Sequence, residues 1–507
     1  MSKLLDHLGA WRGVRALVVG DFMLDQLEFG HADRLSNDAP VPVLHVQRVE
    51  ERPGGAANVC LDLAAMRATV HAFGLVGDDG HGDTLRTLLK RSGIRADGIV
   101  TDGGRPTTRK KSLIGLAQHR HAQKMFRLDY ESQAPVDAAV REKIVAAFRS
   151  ALSGADVVCI EDYQKGVCTS ELCRAVIDEA KKAGVPVMVD PAAVSDYSKY
   201  RGCTTITPNR SEAQRATGLH VPDEGAAELF APLAAKLIET LGLEAAVITL
   251  DKQGALLMER EGEGRVVPTV ARRVYDVTGA GDMVLAALAA GRANGLEWYE
   301  AVRLANAAAG LEVEEFGVVP IAIERIHADV LARERTTRGK LRTLDELLVE
   351  LAAVRSVKGG GGGGKDGTPA RVVFANGCFD VLHAGHVSLL RRAAALGDFL
   401  VVAINSDESV RKLKGPDRPV YTLADRAQLL GELECVGAVV EFADDTPERL
   451  VRAIRPEVLV KGAQYEKASI PGAAFVESIG GRVALLGIVE GRSTTGTLKK
   501  IRGEGAG

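Results

Sequence analysis

DVVCIEDYQKGVCTSELCRAVIDEAKKAGVPVMVDP, residues 156–191, is the stretch that decides the fold. DVVCIED (156–162) is a short β-branched run that turns polar at its carboxyl end, as a buried strand does. SELCRAVIDEAKKAG (170–184) follows with amphipathic spacing, and Lys181, Lys182 and Gly184 mark a helix end. VPVMVDP (185–191) is a second buried strand. Strand, helix, strand at this spacing predicts a parallel sheet with helices on its faces. Working outward, ALVVGD (16–21), CTTITPN (203–209) and AAVITLD (245–251) have the same character. Residues 1–330 are therefore expected to form one α/β domain.

GGGGGG (359–364) interrupts the pattern. Six glycines hold no helix or strand without a large entropic cost, so this is a flexible linker reaching roughly 13 Å. LDELLVELAAVRSV (344–357), just before it, has helical apolar spacing and reads as a tethering helix, giving a connecting segment of 331–369. The α/β pattern then restarts with RVVFANGCFD (371–380), LLRRAAALG (389–397) and FLVVAINSD (399–407). A smaller second α/β domain over 370–507 is expected.

Composition agrees with this division. A chain of 507 residues with 46% hydrophobic and 26% charged residues excludes a mostly disordered chain, a collagen-like repeat and a small disulfide scaffold. Lys plus Arg is 64 against 67 Asp plus Glu, a net charge of -3, so charge offers no case for nucleic-acid or membrane-surface binding. Seven cysteines, an odd number with no Cys-x-x-Cys pair, argue against a disulfide framework or a zinc knuckle. With no apolar run of about 18 residues and no signal-like N-terminus, the protein is read as cytoplasmic.

DVTGAGDMV (276–284) is the strongest chemical motif of the first half. Gly279, Ala280 and Gly281 let the backbone turn tightly and present successive N–H groups at a helix start, which suits phosphate. Asp282 reads either as a helix N-cap or as a base at that mouth. With RPGGAANV (52–59) earlier in the chain, the pattern closely resembles the ribokinase-like family of sugar kinases. The resemblance spans nearly all of 1–330. It implies Asp282 as the base that takes the sugar hydroxyl proton, with Gly279, Ala280 and Gly281 as the anion hole. It implies ATP, Mg²⁺ and a potassium ion, and a homodimer formed through this domain. Asn209 and Glu212 in TPNRSE match the family's Asn-x-x-Glu motif, an indirect Mg²⁺ site, although the same pair reads as a capping box. Arg210, Ser211 and Asn306 are implied on the ATP side.

For the sugar, Gly54, Gly55 and Asn58 are implied, with Asp25 preferred to Asp21 at the end of the first strand. Asp25 reads alternatively as a solvated turn carboxylate. VVGDFMLD (18–25), DAPVPVL (38–44) and EDYQKGV (161–167) resemble the heptose-phosphate kinase branch. There Asp162 and Lys165, with Arg127 of RLDYE, meet a phosphorylated substrate; either cation reads equally as a surface charge. DPAAVSD (190–196) lacks an expected lysine, and EFGVVPI (315–321) departs from the usual tail.

NGCFDVLHAGHVSLL (376–390) places two histidines at a strand-to-helix turn, with no third metal ligand at suitable spacing. It resembles the nucleotidylyltransferase superfamily at every fixed position: Gly377, Phe379, Asp380, His383, Gly385 and His386. The resemblance implies that His383 and His386 stabilise charge on the α-phosphate of ATP and the leaving pyrophosphate. Lys414, Arg418, Arg426, Lys461, Ser493, Thr494 and Thr495 follow in the expected order as phosphate or nucleotide contacts. Gly496-Thr497 replaces the expected Asn-Ile. Both halves together resemble the two-domain family that phosphorylates heptose 7-phosphate and adenylylates heptose 1-phosphate, with a separate 7-phosphatase between the steps.

Overall fold

The computed structural model describes residues 11–116, 122–222, 226–269, 276–315, 317–355 and 370–487. The glycine run 359–364 and the motif Ser493, Thr494 and Thr495 lie outside the described residues. The chain divides into a unit of Trp11–Ile326 and a second that begins at His327.

The strands of the first unit are β1 (Arg15–Gly20), β2 (Phe22–Leu35), β3 (Pro42–Gly55), β4 (Thr69–Gly77), β5 (Arg95–Asp102), β6 (Arg109–Gly115), β7 (Gln123–Tyr130), β8 (Val157–Glu161), β9 (Val187–Asp190), β10 (Thr205–Ile206), β11 (Ala245–Thr249), β12 (Ala255–Glu259) and β13 (Arg265–Val267). Nine of them form one sheet in the order β13-β12-β11-β10-β9-β8-β1-β4-β5. Pairing is parallel from β11 to β5, and antiparallel only at the β11–β12–β13 edge. The parallel strands are covered on both faces, so they read as continuous apolar runs. β1, β8 and β9 pair in register with Gly20 opposite Glu161 and Glu161 opposite Asp190. Their polar carboxyl ends therefore converge, which is where ligands bind in such sheets.

A second sheet, β3-β2-β6-β7, was not anticipated from the sequence. Its side chains alternate between two faces, and the register groups them. Asp25, Lys110 and Asp129 share one face, and so do Leu27, Ser112 and Arg127. Leu27, Phe29 and Ile114 on that face bury one another in a small apolar cluster.

The other unit has strands β14 (Leu341–Arg342), β15 (Val372–Gly377), β16 (Phe399–Asn405), β17 (Ala438–Phe442), β18 (Val458–Gly462) and β19 (Arg482–Leu486). They form one parallel sheet in the order β14-β17-β16-β15-β18-β19. The helix Leu344–Arg355, read from sequence as a tether, buries Leu347 and Leu351 in this unit's core. β14 just before it adds a strand beside β17. Its apolar stripe is thus a packing face. No helix among the described residues is long and apolar enough to cross a membrane.

Candidate active sites

Gly279 precedes the helix Ala280–Ala293 with φ 92°, a left-handed conformation that glycine adopts without strain. A side chain there would also meet Glu312 Oε1 at 2.7 Å. Asp282 is the third residue of the helix, not its cap, and is 3% exposed. Its Oδ2 accepts from Asn58 Nδ2 at 2.8 Å and its Oδ1 from Tyr163 Oη at 2.8 Å. Burial pushes the Asp282 carboxyl up to about 6, while the Asn58 and Tyr163 hydrogen bonds and the Lys110 charge pull it back. A base near this value is largely ionised at neutral pH yet still takes a proton readily.

The surroundings come from distant segments. Gly55, φ 58°, starts the helix Ala56–Ala65 that carries Asn58, and a side chain on it would strike Met23 Cε at 2.6 Å. A side chain on Gly54 would strike Asp25 Oδ2 at 2.7 Å, so the glycine pair lets Asp25 and Asn58 approach. Burial raises the Asp25 carboxyl, and Lys110, Lys124 and Arg127 oppose that. Asp21 instead accepts backbone N–H groups of Tyr163, Lys165 and Val167, which shapes the loop presenting Tyr163. Asp162 is committed too: it pairs with Lys199 and accepts from Tyr200 Oη at 2.7 Å and Gln164 N at 2.8 Å. Lys165 Nζ lies 2.8 Å from Glu131, and Arg127 forks onto Asp129 at 2.9 Å. These three expected substrate contacts are occupied by protein partners, because each lies beside an oppositely charged neighbour.

Asn209 and Glu212 form a reciprocal capping box on the helix Arg210–Thr217. Ser211 Oγ donates to Asn209, Arg210 donates to Gln253 at 2.9 Å, and Asn306 holds the Val267 carbonyl at 2.8 Å. Two carboxylates that no sequence motif marks stand beside Asp282. Glu161, Asp190 and Asp282 each bring one oxygen within 4.8 Å of the others. Burial raises both Glu161 and Asp190, with Asp190 and Asp282 adding to Glu161, and Glu212 and Asp282 to Asp190. Glu161 Oε2 is buried without a hydrogen-bond partner. Such crowded hard oxygens fit a divalent cation. The available signal was a single acid closing an otherwise apolar strand, VVCIE or VMVD. Glu312 and Asp62, also buried without hydrogen-bond partners, both feel the Asp282 charge; burial and that charge push Glu312 up to about 8. Lys124 Nζ meets Asp276 at 3.0 Å and Thr278 at 3.3 Å, beside the glycine turn.

The two hydrogen bonds predict a pH effect. Protonated Asp282 cannot take up a further proton, so if it serves as a base, kcat/KM at this site should fall as pH drops through about 6. Tyr163→Phe removes a donor that favours the ionised form, so its acidic limb should lie at higher pH than that of the unsubstituted enzyme. An unmoved limb in the pH–rate profile would count against the assignment.

In the second unit, His383 occupies the N-cap position of the helix Ala384–Ala394 and His386 sits in its first turn. The imidazoles stack with centroids 3.9 Å apart, and Phe379 meets His386 edge-on at 5.2 Å. Burial, His383 and Lys414 lower His386 to about 4, so it is neutral near pH 7. Phe379 has φ 46°, and a side chain on Gly377 would press its ring at 3.2 Å. Lys414 ends the helix Asp407–Lys414. Lys461 lies on β18, its ammonium 5.3 Å from the Tyr465 ring and its pKa lowered by burial.

Three expectations change here. Arg426 is 1% exposed and donates to the carbonyls of Tyr421, Cys378 and Asn405 and to Asp407 Oδ1 at 2.7 Å. Its donors are spent on tying loops together, so it is not a nucleotide contact. Asp380 pairs with Arg418 and accepts from Val420 N at 2.6 Å, so both brace the 418–421 loop. Arg426→Met should therefore lower the unfolding free energy of this unit by about 3 kcal/mol in denaturant titration. A raised KM for ATP with unchanged stability would restore the nucleotide role.

Comparison with known proteins covers both units. Residues 15–324 match the pfkB family carbohydrate kinase model and residues 374–490 the cytidylyltransferase-like model. "Bifunctional protein HldE" of Pelobacter propionicus is 41% identical over 97% of this chain and 96% of its own length. The protein of that name from Geobacter sulfurreducens is 41% identical over 99% and 98%. Escherichia coli phosphofructokinase-2 in complex with substrates and products superposes with TM-score 0.53 at 17% identity, covering 63% of this chain and 99% of that one. Its complex with potassium gives TM-score 0.52 at 18% identity, over 64% and 99%. At that identity the likeness concerns the fold alone.

Proposed function

The chain belongs to the bifunctional HldE family, a carbohydrate kinase joined to a nucleotidyltransferase, and from that premise we propose that it makes an ADP-activated heptose in two steps. Residues 1–330 phosphorylate D-glycero-β-D-manno-heptose 7-phosphate at C1. Residues 370–507 transfer AMP from ATP to heptose 1-phosphate and release pyrophosphate. A separate phosphatase removes the 7-phosphate between the steps, and the reactions take place in the cytoplasm.

One observation carries the kinase reading: a buried carboxylate, oriented by two donors, at the first turn of a glycine-opened helix. Asp282 takes the proton of the C1 hydroxyl as its oxygen attacks the γ-phosphorus and the bond to ADP breaks. The N–H groups of the 279–281 turn face the charge on the moving phosphoryl group. Magnesium, when bound, neutralises the ATP phosphates; Glu161 and Asp190 would hold it, with Asn209 and Glu212 acting through water. In the second site an oxygen of the sugar 1-phosphate attacks the α-phosphorus. The paired imidazoles and Lys461 meet the charge passed to pyrophosphate.

The dimer expectation has support from the four-stranded sheet. Val49, Phe126 and Tyr130 are 50%, 62% and 43% exposed on the face of the four-stranded sheet opposite to Asp25. A second copy of the chain is the proposed cover. The reaction assignment is tested by mass spectrometry of products from heptose 7-phosphate and ATP, with and without an added 7-phosphatase. A bisphosphate without the phosphatase and ADP-heptose with it is the expected result. Another nucleotide sugar, or no bisphosphate, would replace the reading.

A further inference from the structure

Four cations share the face of the four-stranded sheet that carries Asp25: Arg52 opposite it on β3, Lys110 opposite it on β6, and Arg127 and Lys124 on β7. Three of them are already matched by acids. Arg52 meets Glu50 at 2.7 Å, Arg127 forks onto Asp129, and Lys124 holds Asp276. Lys110 has no ion-pair contact among the described residues. Its ammonium stands 4.7 Å from the centroid of the Tyr163 ring, whose hydroxyl holds Asp282. It is half-buried and close enough to Asp25 and Asp282 to stabilise both as anions. The ring face and the nearby carboxylate charges hold this ammonium in place without taking up its hydrogen-bond donors in an ion pair, so those donors remain for an incoming dianion.

We propose that Lys110 is the specificity-determining cation that receives the phosphate already present on the acceptor sugar, so that the kinase site selects a sugar phosphate over the neutral sugar. The inference rests on the kinase reading above and changes which residue performs the selection. Lys165 and Arg127, the cations expected from sequence, are held by Glu131 and Asp129. Lys110 reaches Asp25 and the Tyr163 ring from β6 of the four-stranded sheet. Asp25, beside it, is left to the sugar hydroxyls, which accept and donate without carrying charge.

The test compares kcat/KM for heptose 7-phosphate and for unphosphorylated heptose in the full-length enzyme, before and after Lys110→Met. The preference for the phosphorylated acceptor should fall by about 100-fold, mainly through KM, and Lys110→Arg should restore most of it. If Lys110→Met lowered kcat/KM equally for both acceptors, Lys110 would be serving the transferred phosphoryl group or the fold, and the inference would be overturned. An unchanged preference would overturn it as well. An unsubstituted enzyme that favoured neutral heptose would instead overturn the kinase reading on which the inference stands.

Discussion

Asp282→Asn lowers kinase turnover by about 10²–10⁴-fold, the range that a positioned general base supplies. The amide is nearly isosteric, so the helix start and the Asn58 side of the site should persist. What is lost is the basic lone pair that accepts the acceptor proton, because an amide has none to offer in place of the carboxylate. The remaining carboxylates are poor substitutes: burial and mutual repulsion favour the protonated forms of Glu161, Asp190 and Glu312. ATP should still bind, since the glycine turn and its N–H groups are untouched. Adenylyl transfer from supplied heptose 1-phosphate should stay within about twofold of the unsubstituted enzyme, because none of its groups belongs to the first unit. Separate assays of the two half-reactions check this. Loss of both activities in a folded protein would defeat the two-site account.

His386→Ala gives the converse result. Nucleotidyl transfer should fall by about 10²–10³-fold, as when one donor to developing charge is removed, while kinase turnover is retained. The size follows from the geometry. His386 is wedged between the Phe379 ring and the His383 ring, so its orientation is set before substrate arrives. Being neutral in the free enzyme, it carries no charge that the buried site would have to desolvate before substrate arrives. Incoming phosphates favour its protonation, so its help grows as negative charge builds on pyrophosphate. His386→Asn, which keeps a donor, should retain more activity than His386→Ala. Single-turnover rates with ATP in excess measure both variants. Equal loss in the two would mean that packing on Phe379, not donation, is what His386 contributes.

The parts of the site legible in the sequence are those built within one turn of chain. Gly279–Gly281 with Asp282, Gly54 and Gly55 with Asn58, and His383 with His386 each combine a backbone requirement and a chemical group in a few residues. Strand and helix periodicity likewise identified β1, β8, β9 and β11, since burial on both sheet faces leaves an unbroken apolar run. Local order alone set these.

Tertiary structure decided which charges are free to act. Glu161 and Asp190 meet only because parallel strands align them in register, and Tyr163 reaches Asp282 across 119 residues of sequence. Lys110 faces Asp25 only once β2 and β6 pair. Arg426 and Lys461 look alike as cations in a sequence, yet one is spent on three carbonyls and a carboxylate while the other is left desolvated beside a ring. The reason is physical: a side chain's charge is a property of its residue, but its solvation and its partners belong to the packed chain.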